Sequence, residues 1–250
     1  MVKVNNISFS YDGNLDALQN ISFESDDMNT IAIVGPSGCG KSTLLRLIAG
    51  ILKIQNGGFT KGCITINNLS TNDWLRQGKT GFMFQEPALL PNLSVKENIE
   101  LPLKILKKTY DSLELDKIIK TVGLTEYINY LPNKLSGGMK TRVALARTFI
   151  TKPELLLLDE PFGALDVKWK FSLYQELELL RKSFNPQVII VTHDINEALL
   201  LSNHILVINS KKSLAKEFII NKPLPRVFKL DSIKELQNEY HSIQQIIMTD

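Results

Sequence analysis

The stretch from Gly35 to Ser42 constrains this 250-residue chain more than any other, because it reads Gly-Pro-Ser-Gly-Cys-Gly-Lys-Ser. Four apolar residues, Ile31–Val34, come directly before it and predict a short buried strand. Leucines and isoleucines at helical spacing follow, from Leu44 to Ile51. A glycine-rich turn between a strand and a helix matches G-x-x-x-x-G-K-[ST] in the context that makes the match specific. The sequence therefore predicts an α/β protein with this loop at the end of a strand.

The loop has the chemistry of a phosphate-binding site. Glycines let the backbone come close to phosphate oxygens and adopt positive φ. Consecutive N–H groups at a helix N-terminus form an anion nest, to which the helix dipole adds. We expect Lys41 to reach the β- and γ-phosphates of ATP and the Ser42 hydroxyl to ligate Mg²⁺. The predicted ATP-binding residues are Gly35, Pro36, Ser37, Gly38, Cys39, Gly40, Lys41, Ser42 and Thr43.

A second chemical feature is the pair Asp159-Glu160, which directly follows the apolar run Leu155–Leu158. Ligands of open α/β sheets bind outside the carboxyl ends of the strands, which is where this pair is expected. Asp159 is predicted to hold the Mg²⁺ shell, and Glu160 to polarise a water for attack on the γ-phosphate. The alternative is a solvated acidic turn without a chemical role. The glycine-rich phosphate loop upstream argues against this alternative, because a phosphate site makes a role for the two carboxylates expected.

Composition excludes several classes of protein. Hydrophobic residues make up 44% and charged residues 22%, which is ordinary globular usage and excludes collagen, low-complexity disorder and coiled coil. A net charge of +3 is too mild to predict a nucleic-acid partner. Two cysteines, Cys39 and Cys63, cannot form a disulfide framework. With no signal-peptide pattern and no apolar run near the ~20 residues that span a bilayer, we expect a reduced, intracellular chain that does not itself cross the membrane.

Apolar runs alternate with helical patterns, which predicts a mostly parallel sheet covered on both faces. Further strands are predicted at Cys63–Ile66, Gly81–Phe84, Val188–Val191 and Ile205–Ile208, and the glycine-rich stretch 56–62 is predicted to separate elements. Predicted helices are Ser136–Ile150, Ala164–Phe184, Asp194–Ser202 and Ser232–Ile247. A polar helical region, 94–131, opens with a capping-box pair, Ser94 and Glu97, and Ser232 and Glu235 form a second such pair.

A third motif carries a family resemblance. Leu135-Ser136-Gly137-Gly138-Met139, with the following residues 140–147, is similar to the signature motif of ATP-binding cassette (ABC) ATPases. The order of motifs along the chain matches that family as well. The resemblance implies a P-loop NTPase (RecA-like) core with a mostly parallel sheet, an N-terminal antiparallel β subdomain and an inserted helical subdomain. Its implied boundaries are 1–87 with 152–220 for the β subdomain and core, 88–151 for the helical subdomain and 221–250 for a helical tail.

The resemblance also implies roles for single residues. Tyr11 resembles the aromatic that stacks on adenine, and Gln85 the residue that contacts Mg²⁺ and the attacking water. His193 resembles the histidine that contacts the γ-phosphate, and Asp166 the residue that signals across a dimer interface. Taken alone, Tyr11 would be an ordinary strand aromatic and His193 a structural or surface histidine. The predicted catalytic residues are Glu160, His193 and Gln85, and the predicted metal ligands are Ser42, Gln85 and Asp159.

The signature segment makes physical sense as an anion-binding helix start. Ser136 is a good N-cap, and Gly137 and Gly138 leave backbone N–H groups uncovered. Because the chain's own glycine-rich loop already holds phosphates, the family architecture implies that Leu135, Ser136, Gly137, Gly138 and Met139 face ATP bound by a second copy. Two head-to-tail copies would then enclose two ATP molecules in a C2 arrangement.

The stretch Phe84–Pro91 reads Phe-Gln-Glu-Pro-Ala-Leu-Leu-Pro and resembles the nitrate, sulfonate and taurine importers. Asn92, Thr141, the run Lys168–Phe171 and the tail after Pro223 depart from that branch. The resemblance implies separate transmembrane permease subunits and, indirectly, a solute-binding protein as partners. It places the chain on the cytoplasmic face of the inner membrane as a peripheral subunit.

Other functions of the same family stay open at this stage. A repair-type ABC ATPase is excluded, because its long coiled coil has no counterpart between Lys41 and Asp159. Ribosome-associated members usually fuse two cassettes, and this chain has one. A nucleotide-dependent regulator and an exporter of the lipoprotein-releasing type remain as alternatives to an importer.

Cys39 lies between two glycines of the phosphate loop. Lys41 and the helix N-terminus are expected to favour its thiolate form, so that Cys39 would react with a maleimide before Cys63. The alternative is that the thiol faces the protein and is inert.

Overall fold

The protein is described by a computed structural model in which two compact units are distinguished, one formed by 1–77 with 187–250 and the other by 78–186. The described residues are 1–13, 16–25, 30–52, 58–109, 111–163, 167–226 and 234–249. The second unit contains the predicted helical segment 88–151, together with a strand before it and a strand and a helix after it.

Strands and helices alternate along the chain, as the sequence predicts. The strands of the described residues are β1 (Val2–Ser10), β2 (Asp16–Glu24), β3 (Thr30–Val34), β4 (Phe59–Ile66), β5 (Leu69–Ser70), β6 (Thr80–Met83), β7 (Leu155–Asp159), β8 (Gln187–Val191), β9 (His204–Ile208) and β10 (Leu214–Ile219). Their α-helices are α1 (Lys41–Ile48), α2 (Thr71–Arg76), α3 (Val95–Ile105), α4 (Ser112–Thr121), α5 (Gly137–Phe149), α6 (Val167–Phe184), α7 (Ile195–Leu201) and α8 (Gln237–Thr249).

The first unit contains an antiparallel sheet in the order β2-β1-β4-β5, which confirms the predicted N-terminal β subdomain. Apolar side chains of β1 are buried at a spacing of two on each side of an irregularity between Val4 and Ile7. The sequence reading of 56–62 as a separator is wrong at its C-terminal end. Gly62 lies inside β4, beside an irregularity in the β1–β4 register between Asn5 and Ser8. Tyr11 lies in a bend one residue beyond the end of β1.

The parallel strands of the first unit form its core. β3 pairs in parallel with both β8 and β9, and β10 is antiparallel to β9. Every residue of β3, β8 and β9 is buried, which explains why these strands read as continuous apolar runs.

The C-terminal helix packs against that core through an apolar cluster that joins β3, α7, β9 and α8. Its start differs from the prediction. Glu235 lies in a 3-10 turn, Lys234–Leu236, and α8 begins only at Gln237. Glu235 pairs with Lys222 at 2.7 Å, and Ser232 lies outside the described residues, so the capping box of this pair stays a prediction.

The second unit combines the parallel pair β6–β7 with α3, α4, α5 and α6. The capping box of Ser94 and Glu97 is confirmed, and α5 has the predicted N-cap, Ser136, and ends within one residue of the predicted Ile150. The helical region 94–131 is interrupted, because α3 ends at Ile105 and α4 starts at Ser112. Within the described ranges, no helix combines the length and apolar character needed to cross a membrane.

Candidate functional site

The glycine-rich loop leaves β3 and turns into α1 at Gly40. Gly40 is the N-cap of α1 with φ 98°, a left-handed conformation that side chains disfavour. A Cβ at this position would lie 2.3 Å from the Ala17 carbonyl oxygen, so the loop also lacks room for any larger residue. No side chain of the described residues caps the start of α1, and a helix N-terminus is a place where backbone N–H groups and the helix dipole favour an anion. This geometry fits the phosphates of a nucleotide.

Lys41 is turned into the loop, and its side chain is almost fully buried. Its Nζ donates to the carbonyl oxygens of Gly35 and Pro36, at 2.9 Å each. The ammonium group is therefore held among the loop's own carbonyls, at the place where the loop would surround a phosphate. Ser42 and Thr43 follow in the first turn of α1. A hydroxyl and a cation at a helix start are the donor set that a Mg²⁺–phosphate group requires.

The prediction of a reactive thiolate at Cys39 is wrong. Its side chain is 2% exposed, and burial raises the pKa of the thiol although Lys41 acts in the opposite direction. The Sγ atom lies 4.0 Å from the Lys41 Nζ, inside the loop. Cys63, on β4, is the exposed cysteine, so thiol reagents should reach Cys63 first.

Tyr11 lies beside the helix that follows the loop. Its hydroxyl is 2.9 Å from the Thr43 Oγ1, and its ring packs edge-on against Phe9 with centroids 4.8 Å apart. The hydrogen bond connects the bend after β1 to α1. The predicted stacking of Tyr11 on adenine stays a prediction.

In the second unit, β7 ends in the predicted acidic pair. Asp159 is the last residue of the strand and is buried, whereas Glu160 is half-buried with φ 45°. A left-handed conformation costs a non-glycine residue ~1 kcal/mol, so the surrounding structure must hold Glu160 in place. Gln85 Nε2 donates to Glu160 Oε2 at 3.4 Å. The structure thus brings Gln85 and Glu160 together, and their roles at Mg²⁺ and water stay predictions.

The signature segment forms the start of α5. Ser136 is its N-cap and accepts a hydrogen bond from the Met139 N–H at 3.3 Å. Ser136 and Gly137 are exposed, and a Cβ built at Gly137 would meet no atom within 4 Å. Leu135 is buried beneath them. This end of the helix is therefore open to an external group.

The remaining predicted residues lie in two places. His193 is exposed between β8 and α7, directly before Asp194, whose side chain caps α7 by accepting from two backbone N–H groups. Asp166 lies outside the described residues, as do Ala164 and Leu165.

Two arginines of α5 make contacts that the sequence did not predict. Arg147 donates to the carbonyl oxygens of Pro87 and Ala88, just after Gln85. Arg142 pairs with the buried carboxylate of Glu176 on α6 at 2.9 Å, beside the Ser172 hydroxyl. Burial raises the pKa of Glu176 to about 7, and the charge of Arg142 and the hydrogen bond from Ser172 lower it only in part. Neither contact has a local sequence signal, because the partners are far apart in the chain.

Comparison with known proteins places the chain in a family. The family model described as ABC transporter matches residues 18–163, more than half of the chain. An aliphatic sulfonates import ATP-binding protein from Bacillus cereus is 37% identical over 95% of this chain and 93% of its own length. A spermidine/putrescine import ATP-binding protein from Fusobacterium nucleatum is 41% identical over 85% of this chain, which spans 56% of that relative's length.

Solved structures agree with this placement. A dimeric structure of a bacterial ABC transporter cassette matches 89% of this chain and 100% of its own, with TM-score 0.76 and 33% identity. A post-hydrolysis structure of the same cassette is bound to ADP and Pi. The cbiO1 protein from Clostridium perfringens, part of the ABC transporter complex cbiONQ, matches 99% of this chain and 98% of its own, with TM-score 0.75 and 25% identity. The chain belongs to the ABC transporter family and has the P-loop NTPase α/β fold of its ATP-binding cassettes.

Proposed function

We propose that the chain is the ATP-hydrolysing subunit of an importer for a small anionic solute of the nitrate, sulfonate or taurine kind. In this proposal it works on the cytoplasmic face of the inner membrane with separate permease subunits. A solute-binding protein delivers the solute to those permease subunits. The observation that carries the ATPase part is the loop Gly35–Ser42, with Lys41 turned inward at the start of a helix that no side chain of the described residues caps.

The proposed division of labour assigns binding and chemistry to different residues. The loop and Lys41 bind the triphosphate, and Tyr11 stacks on adenine. Mg²⁺, held by Ser42, Gln85 and Asp159, would supply charge neutralisation at the β- and γ-phosphates. Glu160 accepts a proton from the attacking water.

The hydrogen bond between Gln85 and Glu160 supports the proposed role of Glu160 as proton acceptor. It connects the Glu160 carboxylate to Gln85, the residue proposed to contact the attacking water. His193, exposed at the end of β8, is proposed to contact the γ-phosphate.

A second copy of the chain completes the proposed site. The exposed start of α5 offers Ser136 and the following N–H groups to the ATP of that second copy, in a head-to-tail dimer. ATP shared between two copies favours a closed dimer, and loss of the γ-phosphate reopens it. The dimeric form of the similar bacterial cassette supports this arrangement.

The solute class depends on two observations. The stretch Phe84–Pro91 resembles the nitrate, sulfonate and taurine branch, and the sulfonate relative matches nearly the full length of both chains. A polyamine is the rival solute, because the spermidine/putrescine relative has the higher identity. Relatives named for sn-glycerol-3-phosphate and iron import show that cassette sequence alone discriminates solutes poorly.

Uptake measurements test the proposal. Cells that lack the chain are given back either the parent chain or its Lys41→Ala variant, and uptake of labelled taurine, nitrate and spermidine is compared. We expect the parent chain alone to restore uptake of taurine or nitrate and to leave spermidine uptake unchanged. Restoration of spermidine uptake only would contradict the anionic solute, and restoration by Lys41→Ala would contradict the ATPase.

A further inference from the structure

Arg147 reaches from α5 to the backbone on the far side of Gln85. Its two terminal nitrogens donate to the carbonyl oxygens of Pro87 at 2.6 Å and Ala88 at 2.9 Å. Arg147 is half-buried, and burial lowers the pKa of its guanidinium. Ala88 has φ 45°, a conformation that an alanine rarely adopts without external support. The two hydrogen bonds hold that strained residue in place.

The segment 85–93, called the Gln85 loop below, is also held at its other end. Asn98, which is fully buried on α3, accepts a hydrogen bond from the Leu90 N–H and donates to the carbonyl oxygens of Leu90 and Leu93. The Gln85 loop has no regular secondary structure. The hydrogen bonds from Asn98 and Arg147 nevertheless fix it to two helices, α3 and α5. A loop fixed in this way cannot shift without moving α3 or α5, or breaking the hydrogen bonds from Asn98 and Arg147.

The strand before the Gln85 loop is in close contact with α5 as well. A Cβ built at Gly81 on β6 would lie 2.9 Å from the Thr148 carbonyl oxygen. Only a glycine permits this approach of the helix backbone to the strand. Both the strand that leads to Gln85 and the segment that follows it are thus held by the C-terminal half of α5, whose N-terminal end is the signature segment.

We propose that Arg147 is a positioning residue for Gln85, which keeps the Gln85 side chain at Glu160 and makes the Gln85 loop move together with the signature helix. The inference rests on the proposed function, since it assigns Arg147 a role through Gln85. The step from Arg147 to the reaction consists of three contacts: guanidinium to the Pro87 and Ala88 carbonyls, the short backbone back to Gln85, and Gln85 to Glu160.

Replacement of Arg147 should affect turnover more than nucleotide binding. The phosphate loop lies in the first unit and keeps its own hydrogen bonds, so the affinity for ATP should change less than twofold. Loss of two charge-assisted hydrogen bonds should lower kcat by about tenfold to a hundredfold in Arg147→Gln. Arg147→Lys keeps the charge but lacks the two-pronged donor geometry, so its kcat should lie between those of the parent and Arg147→Gln.

A double-mutant cycle with Gln85→Ala decides whether Arg147 acts through Gln85. The expected result is that Gln85→Ala lowers kcat, and that Arg147→Gln adds less than a twofold further loss in that background. A matched control is Lys152→Gln, which removes a positive charge just beyond α5, where Lys152 pairs with Glu114. The control should leave kcat and its Mg²⁺ dependence unchanged, whereas Arg147→Gln should raise the Mg²⁺ concentration needed for half-maximal turnover.

Hydrogen exchange in the nucleotide-free protein gives a readout apart from activity. The backbone amides of Leu90 and Leu93, which are hydrogen-bonded to Asn98 and to the Leu90 carbonyl, should exchange faster in Arg147→Gln than in the parent or in Lys152→Gln, while amides of α1 stay unchanged. If Arg147→Gln does not fold, Arg147→Lys enters the same cycle in its place.

The possible failures are distinguishable. Independent, additive losses from Arg147→Gln and Gln85→Ala would overturn the positioning role and leave the proposed function standing. A Gln85→Ala variant that hydrolyses ATP at the parent rate would remove Gln85 from the proposed function, and this inference with it. Unchanged exchange at the Leu90 and Leu93 amides would also contradict the inference.

Discussion

The phosphate loop and the Gln85 loop are both short and both bear on the proposed ATP site, but they are held in different ways. The phosphate loop is held from within, since Lys41 bonds to carbonyls five and six residues earlier. The Gln85 loop is held from outside, by Asn98 on α3 and by Arg147, which lies about 60 residues further along the chain. A loop that is held from within, such as the phosphate loop, can bind a ligand by itself. A loop that is held from outside, such as the Gln85 loop, moves when the helices that hold it move.

The largest expected effect is that a variant in the phosphate loop loses ATP binding, whereas a variant beside the Gln85 loop loses only ATP hydrolysis. Lys41→Ala should lose both ATP binding and hydrolysis, because the cation inside the phosphate loop is gone. Glu160→Gln, beside Gln85, should keep ATP binding and lose ~10²–10⁴ in hydrolysis rate, the usual contribution of a general base.

The measurement is nucleotide titration beside steady-state turnover for each variant. Size-exclusion chromatography with ATP should also show a more persistent dimer for Glu160→Gln, because a carboxylate near the γ-phosphate is removed. Turnover of Glu160→Gln at the parent rate would exclude Glu160 as the base.

The second prediction tests how each loop is held. Asn98→Ala should lower the free energy of unfolding by roughly 2–4 kcal/mol, because it removes three hydrogen bonds between a fully buried side chain and the Gln85 loop, each worth about 1 kcal/mol. Ser37→Ala, at an exposed position in the phosphate loop, should change the free energy of unfolding by less than about 0.5 kcal/mol. Denaturant unfolding of both variants gives the comparison. Equal effects would mean that the Gln85 loop does not depend on its remote contacts.

A third prediction concerns the other arginine of α5. The pKa of Glu176 is raised to about 7 in the folded protein, against a usual value of 4.5, so the folded state holds a proton that the unfolded state releases between these pH values. The stabilising contribution is therefore fully present below pH 4.5 and is lost as pH rises to about 7. It amounts to roughly 3 kcal/mol.

The groups that face Glu176 are Arg142 from α5 and Ser172 from its own helix, while Val122, the C-cap of α4, contributes the carbonyl that accepts from Arg142. Glu176→Gln should remove this part of the pH dependence. The comparison requires denaturant unfolding of parent and variant at several pH values from 4.5 to 8. Parallel curves for the two proteins would contradict the assignment.

The smallest expected effect concerns the thiols. A bulky maleimide should label Cys63 and leave Cys39 unmodified, because Cys39 is buried in the phosphate loop and its pKa is raised. Turnover should be unchanged after labelling, and Mg-ATP should not slow the reaction. Cys63→Ser provides the control and should take up almost no reagent. Rapid labelling of Cys63→Ser at Cys39, with loss of activity, would show that the phosphate loop opens.

The sequence predicted what is encoded locally. Continuous apolar runs identified β3, β7, β8 and β9, since strands buried on both faces need no alternation. Ser136 and Ser94 identified the starts of α5 and α3, because caps depend on residues within one turn. The phosphate loop and the acidic pair are also contiguous patterns, whereas the signature segment was identified by its resemblance to ABC ATPases.

The sequence did not predict features that depend on distant partners. The burial of Cys39 is a property of the folded chain around the loop, and a pattern of glycines and lysine gives no sign of it. Arg147 and Asn98 read as ordinary helix residues until their partners in the Gln85 loop are known. Contacts across such sequence distances are set by tertiary packing, for which a single sequence holds no local signal.

Mixing two inactive variants tests most directly that one copy's phosphate loop works with the other copy's signature segment. Lys41→Ala lacks a working phosphate loop, and Ser136→Arg blocks the exposed start of α5 while monomer ATP affinity stays near that of the parent. Each should be inactive alone. In an equal mixture, half of the dimers combine both variants and hold one intact site, so activity should recover to about a quarter of the parent rate. Recovery near that level supports the account, and a mixture that stays as inactive as its components contradicts it.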